Sequence, residues 1–137
     1  MRIEIIDPDR CVGCEICMLA CVRRQGFGGL AKAKIAVHSS GGMEKGFTVL
    51  VCRACFDPPC AAVCPTNALE VRKDGGVNLI SEKCIGCKNC VEACTVNSIF
   101  WDSETNKPNI CIYCGFCAMN CPHHVLYFNK EWGKKDV

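Results

Sequence analysis

Residues 84–94 read CIGCKNCVEAC, in which successive cysteines are separated by two, two and three residues. The same C-x2-C-x2-C-x3-C spacing recurs at 11–21 and 111–121, and 52–64 carries a variant with four residues between its second and third cysteines. All 16 cysteines of the 137-residue chain fall into these four groups. Thiols repeated at such short, regular steps predict a shared metal centre in each loop rather than a set of disulfides.

This spacing is the one by which three thiolates hold a cubane iron-sulfur cluster while a fourth reaches a neighbouring cluster. Sixteen cysteines therefore predict four 4Fe-4S clusters. Zinc is the competing interpretation, since four cysteines also make a tetrahedral zinc site. Zinc ribbons, however, usually separate two CxxC pairs by a long spacer, and we expect iron and sulfide here.

Composition limits how such a chain can fold and what it can bind. Only 7% of the residues are aromatic and 12 are glycine, so cluster ligation is expected to supply much of the folding free energy. The formal charge is +2 with neutral thiols. Sixteen thiolates and four oxidised cluster cores of about +2 each would bring it to roughly −6, which argues against nucleic-acid binding.

The N-terminal residues also bear on the compartment. The segment MRIEIIDPDRC is not typical of a secretory signal, and no run of about 18 to 20 apolar residues predicts a membrane span. We expect a cytoplasmic protein of anaerobic metabolism.

Three hairpins are predicted between the cysteine groups. Ile35–His38 and Phe47–Val51 flank a glycine-rich turn over 39–45, and form a hairpin insertion at 22–51. Alternating residues on either side of Asp74-Gly75 predict a second hairpin over 68–80, and a third runs from 98 to 110. We further expect a strand at 3–6 and a single helical turn between the third and fourth cysteines of each group. The charged tail after Tyr127 is expected to be frayed or docked on a partner. Gly13, Gly86 and Gly115 are expected to occupy equivalent positions in their loops.

A proline directly follows Cys64, and another follows Cys121. This Cys-Pro ending resembles that of bacterial ferredoxins, in which the cysteine before the proline ligates the other cluster of a pair. The segment between Cys64 and Cys84 resembles the inner spacing of a two-cluster ferredoxin, which favours nested pairing: groups two and three pair, and groups one and four enclose them. Sequential pairing, of one with two and three with four, stays open. The nested sets are Cys11, Cys14, Cys17 and Cys121 (cluster 1); Cys111, Cys114, Cys117 and Cys21 (cluster 2); Cys52, Cys55, Cys60 and Cys94 (cluster 3); and Cys84, Cys87, Cys90 and Cys64 (cluster 4).

The predicted fold is α+β, a duplicated bacterial-ferredoxin-like fold with short antiparallel hairpins, short helices and four cluster-binding loops. It is a single polyferredoxin domain over 1–137 built of two interleaved two-cluster modules. The outer module contains the groups at 11–21 and 111–121, and the inner module those at 52–64 and 84–94.

Residues 3–128 resemble the four-cluster electron-transfer subunits of molybdenum or tungsten oxidoreductases, such as those of dimethyl sulfoxide reductase, formate dehydrogenase and aldehyde oxidoreductase. The resemblance lies in CRACFDPPC at 52–60, followed by CPT at 64–66, and in SIFW at 98–101 leading through Lys107-Pro108 into Cys111. It implies nested clusters arranged as a wire. The short chain, the compact fourth group and the missing membrane anchor are similar to small iron-sulfur subunits of tungsten aldehyde oxidoreductases and benzoyl-CoA reductases.

We therefore expect an electron-transfer subunit without a catalytic site of its own, because ligation consumes every cysteine and no nucleotide loop is present. Its expected partners are a catalytic subunit that contains tungsten or molybdenum and a second redox protein, with self-stacking as a further possibility. The alternatives are a free-standing polyferredoxin carrier, or a subunit of a carbon monoxide dehydrogenase or hydrogenase complex. For Phe100, Trp101, Tyr113 and Phe116 we favour shielding of the clusters from water over an electron relay.

Overall fold

A computed structural model describes residues 1–39, 41 and 46–133 of the chain. Within these residues the chain is built of short strands paired into antiparallel ribbons and of short helices that follow the cysteine loops. In chain order the strands and α-helices are β1 (Arg2–Ile5), α1 (Ile16–Arg24), β2 (Ile35–Ser39), β3 (Phe47–Val51), α2 (Pro59–Ala62), β4 (Leu69–Val71), β5 (Val77–Leu79), α3 (Asn89–Ala93), β6 (Phe100–Asp102), β7 (Lys107–Asn109), α4 (Phe116–Met119) and β8 (Leu126–Asn129).

The three predicted hairpins are confirmed. Strand β2 pairs with β3, β4 with β5, and β6 with β7, all antiparallel. In the middle hairpin Gly75 and Gly76 both have positive φ, at +88° and +81°, which L-residues with side chains rarely adopt. The expected turn of the first hairpin, 39–45, lies mostly outside the described residues.

The two ends of the chain meet in a fourth ribbon that the sequence did not predict. Strand β1 pairs with β8 so that Ile3 lies opposite Phe128 and Ile5 opposite Leu126. The expectation of a frayed tail after Tyr127 is therefore wrong for residues 128–133, where the Trp132 indole also donates a 3.2 Å hydrogen bond to the Ala54 carbonyl. Residues 134–137 lie outside the described part.

Two separate hydrophobic clusters hold these ribbons together, and each contains cysteines from two distant groups. One combines Ile3, Ile35 and Val51 with cysteines of groups one and four. The other combines Leu69, Val77 and Ile99 with cysteines of groups two and three. The helices repeat this division, because α1 packs against α4 and α2 against α3.

A partly buried ion pair fastens the segment after α1 to the β6–β7 hairpin. The Lys32 ammonium lies 2.7 Å from an Asp102 carboxylate oxygen, and that same carboxylate accepts hydrogen bonds from the Thr105 hydroxyl and the Glu104 amide. The hydrogen bond from Lys32, together with that from Thr105, lowers the pKa of Asp102 below its ordinary value. The pair thus connects two segments that are about 70 residues apart in the sequence.

We predict that Lys32→Met destabilises the protein, because it leaves the buried Asp102 carboxylate without its cation. Lys130→Met, at an exposed lysine, is the matched control. The measurement is the thermal midpoint at which visible cluster absorbance is lost. The expectation is a clear drop for Lys32→Met and none for the control, and equal midpoints for the two variants would contradict it.

None of the helices in the described ranges is long and apolar enough to cross a bilayer.

Candidate metal centres

Three cavities in the structure are each lined by four cysteines drawn from two groups, and the third of them is also lined by Cys111 of group four. In each, three cysteines belong to one loop and the fourth belongs to another part of the chain. The sets are Cys11, Cys14, Cys17 and Cys121; Cys111, Cys114, Cys117 and Cys21; and Cys52, Cys55, Cys60 and Cys94. The assignment of these combinations to clusters 1, 2 and 3 stays a prediction.

The fourth predicted set is Cys84, Cys87, Cys90 and Cys64. Cys84 and Cys87 lie close enough to Cys90 for their negative charges to oppose its ionisation. Helix α2, which leads to Cys64, packs against α3, which carries Cys90. The Cys64 sulfur accepts a 3.2 Å hydrogen bond from the Ala68 amide, which fixes the direction in which this thiol points.

The donor set and its spacing fit a cubane better than a single ion. Among the described residues, which include all 16 cysteines, no three potential ligands lie close enough together to hold one metal ion. Four thiolates around one cavity suit four irons with one outside ligand each.

Burial disfavours ionisation of the third cysteine in groups one, two and four. It raises the pKa of Cys17 and Cys60 to about 11 and that of Cys117 to about 12, with added repulsion from neighbouring cysteines. For Cys17 those neighbours include Cys121, and for Cys117 they include Cys21. Since iron binds thiolate, these buried sulfurs become stable as anions only with metal present, and cluster insertion must release protons.

The last cysteines of groups two and three ionise more readily than an ordinary thiol. Burial also opposes ionisation of Cys64 and Cys94, but hydrogen bonds outweigh it and the pKa of each thiol is lowered. For Cys94 the donors are the Ser98 hydroxyl and amide, both 3.4 Å from the sulfur. Backbone amides after the last cysteine thus stabilise the thiolate form, which is the hydrogen bonding expected around cluster ligands.

The expected equivalence of Gly13, Gly86 and Gly115 is wrong for Gly115. Gly13 and Gly86 lie two residues after the first cysteine of their groups, whereas Gly115 directly follows a second cysteine. The position equivalent to Gly13 and Gly86 is Ala54 in group two and Tyr113 in group four. All four residues adopt positive φ, so the loops share one backbone conformation despite these different side chains.

Two aromatic rings that sequence reasoning missed pack against the cysteine loops. The Phe47 ring packs against the backbone at Gly13, and the Phe128 ring packs against Gly115. Tyr113 is 1% exposed. Phe47 and Phe128 lie outside the cysteine motifs, on strands that pair with other parts of the chain, so the motif spacing gives no signal for their contacts.

Gly76 occupies a close approach between the middle hairpin and Tyr113. A Cβ atom at this position would overlap the hydroxyl end of the Tyr113 ring, and its amide donates a 2.8 Å hydrogen bond to the Cys55 carbonyl. The hairpin turn therefore also packs against the group-two loop.

We predict that Gly76→Ala destabilises the protein and displaces Tyr113. Left-handed backbone costs an L-residue about 1–2 kcal/mol, and the overlap adds to it. Gly26→Ala is the matched control, since Gly26 also has positive φ, at +84°, but would meet nothing within 4 Å. Denaturant unfolding should give a larger loss of stability for Gly76→Ala, and equal losses would contradict the close approach.

Comparison with known proteins gives one family over most of the chain. The 4Fe-4S dicluster domain matches residues 43–131, which contain groups two, three and four, and a 4Fe-4S binding domain matches residues 8–22, which contain group one. Both matches agree with the cysteine loops described above.

Three relatives illustrate the range of similar proteins. The chain is 35% identical to the beta subunit of NADH-dependent phenylglyoxylate dehydrogenase from Aromatoleum evansii, over 88% of this chain and 28% of the relative. It is 34% identical to a subunit of tetrathionate reductase from Salmonella typhimurium, over 80% and 46% respectively. It is also 34% identical to the electron transport protein HydN of Escherichia coli, over 91% and 86%. The chain thus spans less than half of the first two relatives and most of the third.

Proposed function

The chain belongs to the 4Fe-4S dicluster domain family, and on that premise we propose that it carries electrons, one at a time, between a catalytic oxidoreductase subunit and a second redox protein. It would do so through four 4Fe-4S clusters held by its 16 cysteines. When bound, such a cluster supplies a one-electron couple whose potential depends on hydrogen bonds, charge and burial.

The observation that carries this proposal is the make-up of the cysteine-lined cavities. Each combines three cysteines of one loop with the last cysteine of another, as the nested pairing requires. The two hydrophobic clusters support the same division, one for an outer module and one for an inner module. We propose that the chain is a duplicated ferredoxin fold in which the inner module is inserted within the outer one.

The nested sets also suggest an order of electron flow along the molecule. Cys17 on α1 and Cys117 on α4 lie in one hydrophobic cluster, where these helices pack together and bring sets 1 and 2 close. Cys60 on α2 and Cys90 on α3 do the same for sets 3 and 4. Cys111 of set 2 also lines the cavity of set 3. The resulting order is 1, 2, 3, 4, with sets 1 and 4 at the ends.

Exposure of the end loops supports entry and exit of electrons there. Cys14 of set 1 and Cys87 of set 4 are the exposed cysteines of the chain. Apolar side chains lie beside them on the surface, Val12 at 55% exposed and Ile85 at 65%. Such side chains suit transient contact with other redox proteins.

The named relatives support a general electron-transfer role rather than one substrate. Phenylglyoxylate and tetrathionate have little chemistry in common, so the likeness follows the iron-sulfur protein and not the reaction. From the resemblance set out above we propose a tungsten- or molybdenum-containing catalytic partner, of the aldehyde oxidoreductase or benzoyl-CoA reductase type.

A free-standing carrier is the second candidate. The observation that favours it is the length match with HydN, named as an electron transport protein, since the chain spans 86% of that relative. Such a carrier would use the same four clusters and the same two ends, but would diffuse between enzymes.

The deciding experiment is anaerobic copurification of the tagged chain from its native host at endogenous level, followed by metal analysis of the stoichiometric partner. We expect one catalytic subunit with tungsten or molybdenum, and dithionite-reduced chain should pass electrons to it. A monodisperse monomer with all its clusters and no such partner would favour the carrier. A stoichiometric partner without either metal would contradict the proposed enzyme type.

A further inference from the structure

Tyr113 is unusual for the position it occupies. The equivalent residue is Gly13 in group one, Ala54 in group two and Gly86 in group three, and this place in the loop requires positive φ. Tyr113 adopts φ +58° and is 1% exposed. A bulky residue held in left-handed backbone costs free energy, and such strain is most often retained where the side chain has a specific task.

The Tyr113 hydroxyl lies between a backbone amide and a cysteine sulfur. The Val77 amide donates a 3.0 Å hydrogen bond to the hydroxyl oxygen, so the phenol proton remains free to be donated elsewhere. The hydroxyl is 3.3 Å from the Cys52 sulfur. Once Cys52 ligates iron it is a thiolate with no proton of its own, and Tyr113 must therefore be the donor in this bond.

The backbone of the same residue reaches a second site. The Tyr113 amide donates a 3.4 Å hydrogen bond to the Cys111 sulfur, and Cys111 belongs to set 2 whereas Cys52 belongs to set 3. One residue thus contacts a ligand on each side of the boundary between the outer and inner modules. This inference rests on the proposed function, which assigns Cys111 to set 2 and Cys52 to set 3.

Arg72 completes the arrangement. Its guanidinium lies 4.5 Å from the centre of the Tyr113 ring, and its Nη1 is buried without a hydrogen-bond partner among the described residues. A cation over the ring makes the phenol a stronger hydrogen-bond donor and also places positive charge near the middle of the molecule.

We propose that Tyr113 is a positioning residue at the junction between clusters 2 and 3, and that its hydroxyl raises the reduction potential of cluster 3. Reduction adds one negative charge to a cluster and its thiolates, so a donor aimed at Cys52 stabilises the reduced form more than the oxidised form. The effect is specific to one cluster, because the hydroxyl contacts Cys52 alone among the cysteines.

The first test is Tyr113→Phe in the cluster-loaded full chain, with an EPR-monitored redox titration of all clusters. Loss of the hydrogen bond should disfavour reduction of one cluster about tenfold, which is a downward shift of about 59 mV for a one-electron couple. The reduction potentials of the other clusters should stay unchanged. This includes cluster 2, because the backbone hydrogen bond from residue 113 to its ligand remains. Tyr127→Phe is the matched control, since Tyr127 is exposed and is the only other tyrosine in the chain.

The second test changes the donor in the opposite direction without removing it. In a Tyr127→Phe background, growth on 3-fluorotyrosine labels position 113 alone. Fluorine beside the hydroxyl makes the phenol more acidic and a stronger donor, so the potential of the same cluster should rise. A merely structural role for Tyr113 would not produce shifts of opposite sign.

The outcomes separate this proposal from the proposed function. Unchanged potentials in a Tyr113→Phe protein with full iron would overturn the role of Tyr113 while leaving the four clusters in place. If Tyr113→Phe loses a cluster, fluorotyrosine decides, and the absence of an upward shift would overturn the proposal. Wild-type protein without iron and sulfide would remove Cys52 as a ligand, and both proposals would fail.

Discussion

Removing the iron is expected to unfold the protein rather than leave an empty scaffold. Both hydrophobic clusters are built partly from cysteines, so loss of the metal removes the bonds that hold these side chains together. Structural zinc, for comparison, supplies about 10–16 kcal/mol in zinc-finger peptides, which equals or exceeds the net stability of about 5–15 kcal/mol for a whole domain. The clusters therefore decide whether this chain folds.

An iron chelator under anaerobic, reducing conditions provides the measurement. Visible cluster absorbance and far-ultraviolet circular dichroism should decline together, and iron with sulfide should restore both. Zinc is the matched control and should not restore the native spectrum, since the described cysteines are not spaced around single ions. An iron-free protein that keeps its dichroism and a cooperative thermal transition would contradict this prediction.

The second large effect concerns which cysteines share a cluster. Under the nested arrangement Cys121 completes set 1, so changing Cys14 and Cys121 together removes the ligands of one cluster only. Changing Cys121 with Cys87, or Cys121 with Cys114, affects two clusters. The single and double cysteine-to-serine variants form double-mutant cycles. Cluster losses should be strongly non-additive for two cysteines of one site and additive for cysteines of different sites.

Iron content per chain and EPR spin counts distinguish the three possible arrangements. We expect the Cys14→Ser, Cys121→Ser double variant to lose no more than one cluster, and the other two double variants to lose two. If the groups pair sequentially, the Cys87→Ser, Cys121→Ser variant is the one that loses no more than one cluster. If each loop keeps its own four cysteines, that result is expected for the Cys114→Ser, Cys121→Ser variant.

The local features of this fold were predictable because short-range rules determine them. The β4–β5 hairpin follows from alternating residues around Asp74-Gly75-Gly76, and α3 follows from the short spacing between Cys90 and Cys94. Recognising the four cysteine groups also needs only their spacing. In each of these cases the residues that interact lie within a few positions of one another.

The features that sequence reasoning missed depend on contacts between distant parts of the chain. Strand β8 exists because residues 126–129 pair with β1, more than 120 residues away, and the sequence of this four-residue segment does not reveal its partner. Tyr113 shows the same limit. Its place in the loop is visible from the sequence, but its hydrogen bonds to Val77 and Cys52 depend on how the middle hairpin packs against group four.

The most direct test of the four-cluster assignment is iron, acid-labile sulfide and zinc analysis of anaerobically prepared wild-type protein. We expect one iron and one sulfide for each of the 16 cysteines, with an EPR signal from 4Fe-4S clusters after reduction. A colourless, EPR-silent preparation with stoichiometric zinc and no sulfide would contradict the assignment.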